Sequence, residues 1–234
     1  MLNNKKTNSF YVLKLFWEEY KMKKLLVGLI VFLMGMLLIA PVASAYPVNE
    51  DSWIWLGRVG TVNGNNGGEF SVHSDNSGSI GTKLFETFCL EYNEYLYSIP
   101  EKVWLGSITN KAIDGGVTGG DPIGERTAYL YYKFITNSLP DYNNDATSAA
   151  ALQNAIWFLE NEISSLPSGL ATTFYNYSGN AQIGNFYGVM VMNLWGNECE
   201  TLHRQDQLIY VPEPTSLLLL GLGLLGVGIL RRKQ

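Results

Sequence analysis

Two apolar runs bracket the chain, and the polarity between them alternates. The first, residues 25–40, follows Met22, Lys23 and Lys24 and precedes Ala43-Ser44-Ala45. A basic start, an apolar centre and small residues at Ala43 and Ala45 make a secretory signal with its cleavage site. Residues 1–21 stand upstream of that pattern, so the start is either Met1 or Met22. The second run, residues 216–230, is Gly-rich and uncharged. As a transmembrane helix it would reach about 22 Å, short of a hydrocarbon core of about 30 Å. A short span suits a segment held in the membrane for a time and then cut. Arg231, Arg232 and Lys233 follow it and stay cytoplasmic by the positive-inside rule.

Between the runs, the pattern predicts strands over 53–59 and 69–73, joined by the Gly/Asn-rich turn 63–68. Further strands are predicted over 83–91, 94–99 and 103–108, then a Gly-rich loop over 113–122. Residues 124–137 carry Ala128, Tyr131 and Ile135 on one helical face. The clearest helix is 147–163, where Leu152, Ile156, Leu159 and Ile163 form an amphipathic stripe. Asp145 or Thr147 can cap its start, and Pro167-Ser168-Gly169 follows its end. Residues 188–194 and 207–211 read as closing strands. Strands, then helices, then strands predict an α+β fold. It would be a β-rich, sandwich- or barrel-like domain with a small helical insertion. A signal helix would precede it and a C-terminal transmembrane helix would follow. The expected organisation is leader and signal over 1–45, a secreted domain over 46–210 and a tail over 211–234.

Removing the ends changes the charge. The whole chain carries a formal charge of −5, yet residues 46–211 hold seven basic against eighteen acidic side chains, a balance of −11. So acidic a domain, with no basic patch for phosphates, excludes nucleic acid as a partner. The 12 Tyr and 18 Gly within residues 46–211 suit an exported β-rich domain.

The tail has an order of its own: Pro212-Glu213-Pro214, an apolar span, a basic end. It resembles the PEP-CTERM sorting domain, the substrate tail of exosortases in Gram-negative bacteria. The resemblance implies export, transient inner-membrane anchoring, and transfer to the cell surface or extracellular matrix. Signal peptidase and exosortase would be the processing partners.

Two internal stretches stand out together: Phe88-Cys89-Leu90-Glu91 on a strand, and Leu152-Gln153-Asn154-Ala155-Ile156-Trp157 on the amphipathic helix. They resemble the thioester domains of bacterial surface proteins, in which a Cys thiol condenses with the Gln of a Gln-x-Ala-Ile-Trp motif. Gln153, Ala155, Ile156 and Trp157 match that motif, and Cys89 takes the thiol's place. Leu152 departs from it, standing where the family has Thr. The resemblance implies an internal thioester able to acylate an amine on a partner surface, a covalent adhesion rather than enzymatic turnover. Such a bond must be kept from water. Trp157, one turn beyond Gln153, and Phe88, beside Cys89, are the candidate shields. As ordinary patterning, Gln153 lies beside the apolar stripe and reads as solvent-facing, and Trp157 reads as core.

Cysteine counting offers an alternative. Cys89 and Cys199 are the chain's two cysteines, and an even number in an oxidising compartment favours a disulfide. The protein would then be a non-covalent structural or adhesive matrix component. His73 and His203 have no metal-ligand spacing and read as surface residues. No cofactor and no metal are expected.

Overall fold

The computed structural model describes residues 17–22, 24, 47–59, 67–115 and 119–212. The chain divides into two compact units, Met1–Ser44 and Ala45–Gln234. Of the first unit, residues 17–22 and 24 are helical. The signal segment with Ala43 and Ala45, the motif residues Glu213 and Pro214, and Arg231, Arg232 and Lys233 lie outside the described residues. Among the described residues, no helix is long and apolar enough to cross a membrane.

The second unit holds one antiparallel sheet of six strands in the order β3-β2-β1-β4-β7-β8. The strands are β1 (Ser52–Arg58), β2 (Phe70–Asn76), β3 (Ser79–Thr87), β4 (Glu101–Thr109), β7 (Val189–Trp195) and β8 (His203–Tyr210). A ribbon of β5 (Lys111–Ala112) and β6 (Asp121–Pro122) follows β4. Helices α1 (Glu125–Ile135), α2 (Ala146–Leu159) and α3 (Leu170–Tyr177) are then inserted before β7. Because β4 pairs with β7, this helical block is an excursion between neighbouring strands.

Alternation along the strands builds two cores. Ile54, Leu56, Val72, Val103, Leu105, Met192, Leu194 and Ile209 form one cluster, with Phe85 of β3 against it. All six strands therefore turn one face to a shared interior. The opposite face of β7 and β8 presents Val191 and Leu208 to the helices, where Leu130, Tyr131, Leu152, Ile156 and Phe174 complete the second core.

The sandwich form of the expectation is corrected: one sheet curls on itself. Past Thr87 the chain leaves β2 and bridges β8, with Cys89 opposite Gln207. Leu90 N–H donates to Asp206 O at 3.1 Å, and Leu208 N–H to Phe88 O at 3.0 Å. The Thr87 hydroxyl also donates to Leu208 O at 2.6 Å. These bonds join the end of β3 to β8 barrel-fashion and cover that stretch of the β8 edge, where an unpaired edge would invite unwanted pairing.

Several boundaries differ from the sequence reading. No strand forms over 94–99. Helix α2 stops at Leu159, and Asn161 takes a left-handed φ of 62°. Ser77 (φ 52°) and Gly78 (φ 88°) make a tight β2–β3 hairpin, a positive-φ pair suited to two-residue loops. Helix α3 arises where Pro167-Ser168-Gly169 reads only as a stop, with Gly169 as its N-cap at φ 87°. Asp145 caps α2 by accepting the Ser148 N–H at 2.7 Å, and the Ser148 side chain answers as a capping box.

Candidate functional site

The seam of the barrel sets up an unusual backbone. In an antiparallel ladder, opposed residues alternate between bonded and non-bonded pairs. The bonds on either side of Cys89 and Gln207 make theirs a non-bonded pair. Cys89 therefore gives no backbone bond to β8, and its N–H and C=O face the other edge. That edge is open, because β2 begins only at Phe70, opposite Thr87.

Gln153 fills the gap. Its Nε2 donates to Cys89 O at 2.8 Å. Its Oε1 accepts from Cys89 N–H at 3.3 Å and from Gly68 N–H at 3.4 Å. The Cys89 thiol donates to the same oxygen, with Sγ 3.1 Å from Oε1. The primary amide thus docks where a neighbouring strand's peptide would lie, and one residue supplies both the clamp and the thiol. Cys89 and Gln153 are both 0% exposed. The solvent-facing reading of Gln153 is corrected. Helix α2 buries Ala151, Leu152, Gln153, Ala155, Ile156 and Trp157, a wider arc than one stripe, because the sheet seam and the other helices cover different sides of it.

Trp157 and Phe70 pack with Cys89 in one apolar cluster, with Leu96, Ile99 and Ile163 around it. Tyr92 meets Trp157 edge-on, ring centroids 4.9 Å apart. Phe88 lies elsewhere. Adjacent strand residues face opposite ways, so Phe88 packs into the helical core, edge-on to Phe134 at 5.0 Å. The position expected beside the thiol is taken by Phe70. A cleft of about 60 Å³ reaches this cluster, lined by Gly67, Phe70, Tyr92, Tyr95, Trp157 and Gln205 among others.

Gly67 and Gly68, which read as turn residues, turn out to be site residues. Gly67 has φ +64°, and a Cβ there would stand 2.5 Å from Trp157 Cη2 and 2.7 Å from Gln153 Cγ. Only glycine allows the backbone so close. The paired glycines were the available signal, and a turn explains them equally well.

Burial pushes the Cys89 thiol pKa well above its ordinary value, and the Glu91 charge adds to the rise. Two residues along, Glu91 joins a polar cluster. Its carboxylate accepts from Asp206 N–H at 2.7 Å and Asp114 N–H at 3.2 Å. Burial, then the charge of Asp206, raise Glu91 to about 9. Asp206 accepts from Ile113 N–H (2.8 Å), Leu194 N–H (2.9 Å) and the Asn193 amide (2.8 Å). His203 pairs with Asp206 at 3.2 Å and Asp114 at 2.8 Å. Burial alone would lower its pKa, but the hydrogen bond and charge of Asp206, with Glu91 and Asp114, raise it to about 9. The surface reading of His203 is corrected: its side chain is only 13% exposed. His73 is part-buried, with its ring nitrogens on Ser71 Oγ at 2.9 Å and Gly81 O at 3.3 Å. Glu91, His203 and Asp206 stand close enough together to ligate a cation. Their mutual bonds and the backbone N–H groups they engage account for them as a brace between strands.

The disulfide alternative is also corrected. Cys89 is a buried free thiol and Cys199 an exposed one. Cys199 lies on the β7–β8 loop, whose neighbouring Glu198 accepts from Trp53 Nε1 at 2.8 Å on β1. Cys89 sits opposite Gln207, four residues into β8 from His203.

Residues 211–233 match the family model of the PEP-CTERM protein-sorting motif. The motif indicates an exported surface protein that exosortase sorts at the membrane. No curated protein and no solved structure matches the chain.

Proposed function

We propose that Cys89 and Gln153 condense into an internal thioester, and that the exported protein uses it to acylate an amine on a partner surface. The observation that carries this reading is the clamp: Sγ is 3.1 Å from Oε1, and the backbone of the same cysteine holds the amide at both ends. Effective molarity from such positioning replaces the high concentration a free thiol and amide would need.

The chemistry balances without a cofactor. The thiol sulfur adds to the Gln153 side-chain carbonyl carbon and a C–S bond forms. The thiol proton passes to Nε2, the C–N bond breaks, and ammonia leaves. A deprotonated primary amine then attacks the acyl carbon. A C–N bond forms, the C–S bond breaks, and the amine proton returns to sulfur. The products are an amide on Gln153 and a free Cys89 thiol. Each molecule carries one such acyl group and so links one amine at a time. The apolar cluster of Phe70 and Trp157 limits the water that would hydrolyse the bond.

Intact-mass measurement of the exported protein tests the proposal. A mass one ammonia below the sequence value is expected, restored to the full value in Cys89→Ala. A full-length mass in the wild type, or a deficit of two hydrogens, would overturn it.

A further inference from the structure

We infer that the backbone N–H groups of Gly68 and Cys89 form an oxyanion hole for the Gln153 carbonyl, so that the bond is made and opened by activating the acyl group rather than the sulfur. This rests on the thioester reading and adds a catalytic part to it.

Geometry carries the inference. Two N–H groups from different segments converge on one oxygen, Gln153 Oε1, at 3.3 Å and 3.4 Å. Those distances are long for a resting hydrogen bond. As the carbon turns tetrahedral the oxygen gains charge, and contacts that are weak in the ground state strengthen toward it. Interactions stronger in the transition state than in the ground state are the ones that accelerate a step. Among the described residues, neither donor is engaged in a helix or ladder bond. Cys89 N–H is spared by the non-bonded bridge to Gln207, and Gly68 lies just before β2.

The state of the thiol agrees. A nucleophilic cysteine is usually activated by a lowered pKa. Here burial and Glu91 outweigh the opposing pull of Arg58 and the Trp157 indole, and the thiol becomes less acidic. Activation must then come from the electrophile. Gly67 explains why the donor segment lies so close: its missing side chain lets Gly68 reach the oxygen past Trp157 and Gln153. The Cys89 carbonyl has a matching part. It holds Nε2 at 2.8 Å, keeping the departing nitrogen oriented while it takes the thiol proton.

The test replaces Gly68 by glycolic acid in the full chain, through nonsense suppression. An ester oxygen then stands where the N–H was, and the side-chain complement is unchanged. Opening of the thioester is followed by intact mass, with methylamine at fixed pH and in buffer alone. Loss of the oxyanion donor slows aminolysis and hydrolysis together, by about a hundred- to a thousandfold. A purely structural role would loosen the cover instead, so hydrolysis would speed up. Unchanged rates, or faster hydrolysis, would overturn the oxyanion assignment while leaving the thioester intact. A wild-type chain without the ammonia deficit removes both readings. Gly67→Ala supplies an ordinary variant: its added Cβ displaces the segment, and formation of the bond after export is expected to slow at least tenfold. Gly179→Ala, whose Cβ would meet nothing within 4 Å, should match the wild type.

Discussion

At the scale of single residues, the two cysteines should behave as opposites. Cys199 is exposed and Cys89 is 0% exposed with a raised pKa. At pH 8, iodoacetamide should label Cys199 within minutes. Cys89 should label far more slowly. Peptide mapping of the alkylated protein checks this, and equal labelling would contradict the burial described here. The pairing of Cys89 with Gln153 was legible only as a motif. Period-3.6 patterning places Gln153 beside a stripe and says nothing of what packs there. The long-range bridge to Gln207 turns Cys89's backbone toward it, and no local pattern encodes a contact across more than a hundred residues.

At the scale of elements, α2 is the piece that carries Gln153 and Trp157. Trp157 is 2% exposed, and it touches both the thiol cluster and the edge of Tyr92. Trp157→Ala should cost about 3–5 kcal/mol of stability, since it empties a large core volume. It should also shorten the thioester's lifetime in water. Denaturant titration and timed intact mass measure the two effects separately, and a longer lifetime would contradict the covering role. The elements most legible in the sequence were those with strong local signals. The β1 strand, α1 and the start of α2 all fall within a few residues of their predicted places. Residues 94–99 fail as a strand although they alternate, because among the described residues no strand pairs with them. Their apolar members, Leu96 and Ile99, instead wall the thiol cluster. Helix α3 was hidden behind the Gly169 breaker, which is its own N-cap.

At the scale of the whole molecule, the cluster around His203 ties together four separate stretches: Glu91 after β3, Ile113 and Asp114 after β5, Asn193 and Leu194 of β7, and His203 and Asp206 of β8. His203 has a folded pKa of about 9, above its ordinary 6.5. Its stabilisation is complete below about pH 6.5 and disappears as pH rises through about 9. Glu91, raised from 4.5 to about 9, holds a proton in the fold that the unfolded chain gives up, so its contribution also falls as pH rises. The melting temperature should therefore drop between pH 6.5 and 9.5, and the drop should be shallower in His203→Gln. A flat wild-type profile would contradict this. Delivery is a separate property of the chain: replacing Pro212, Glu213 and Pro214 by Ala should leave the protein in the inner-membrane fraction, read by fractionation and immunoblot.

The seam has one more consequence, and it is mechanical. Strand β8 ends at Tyr210, and the sorting motif begins at the next residue. Any tension transmitted from the cell through that end is applied along β8. This strand is held on one side by β7 and on the other by the segment 88–90. A pull along its axis loads both rows of hydrogen bonds in shear, all at once, rather than peeling them one by one. A tether captured at Gln153 would pull from α2, on the far side of that doubly braced strand. The closure that positions Cys89 thus also makes β8 a strand braced on both sides against a pull from its C-terminal end.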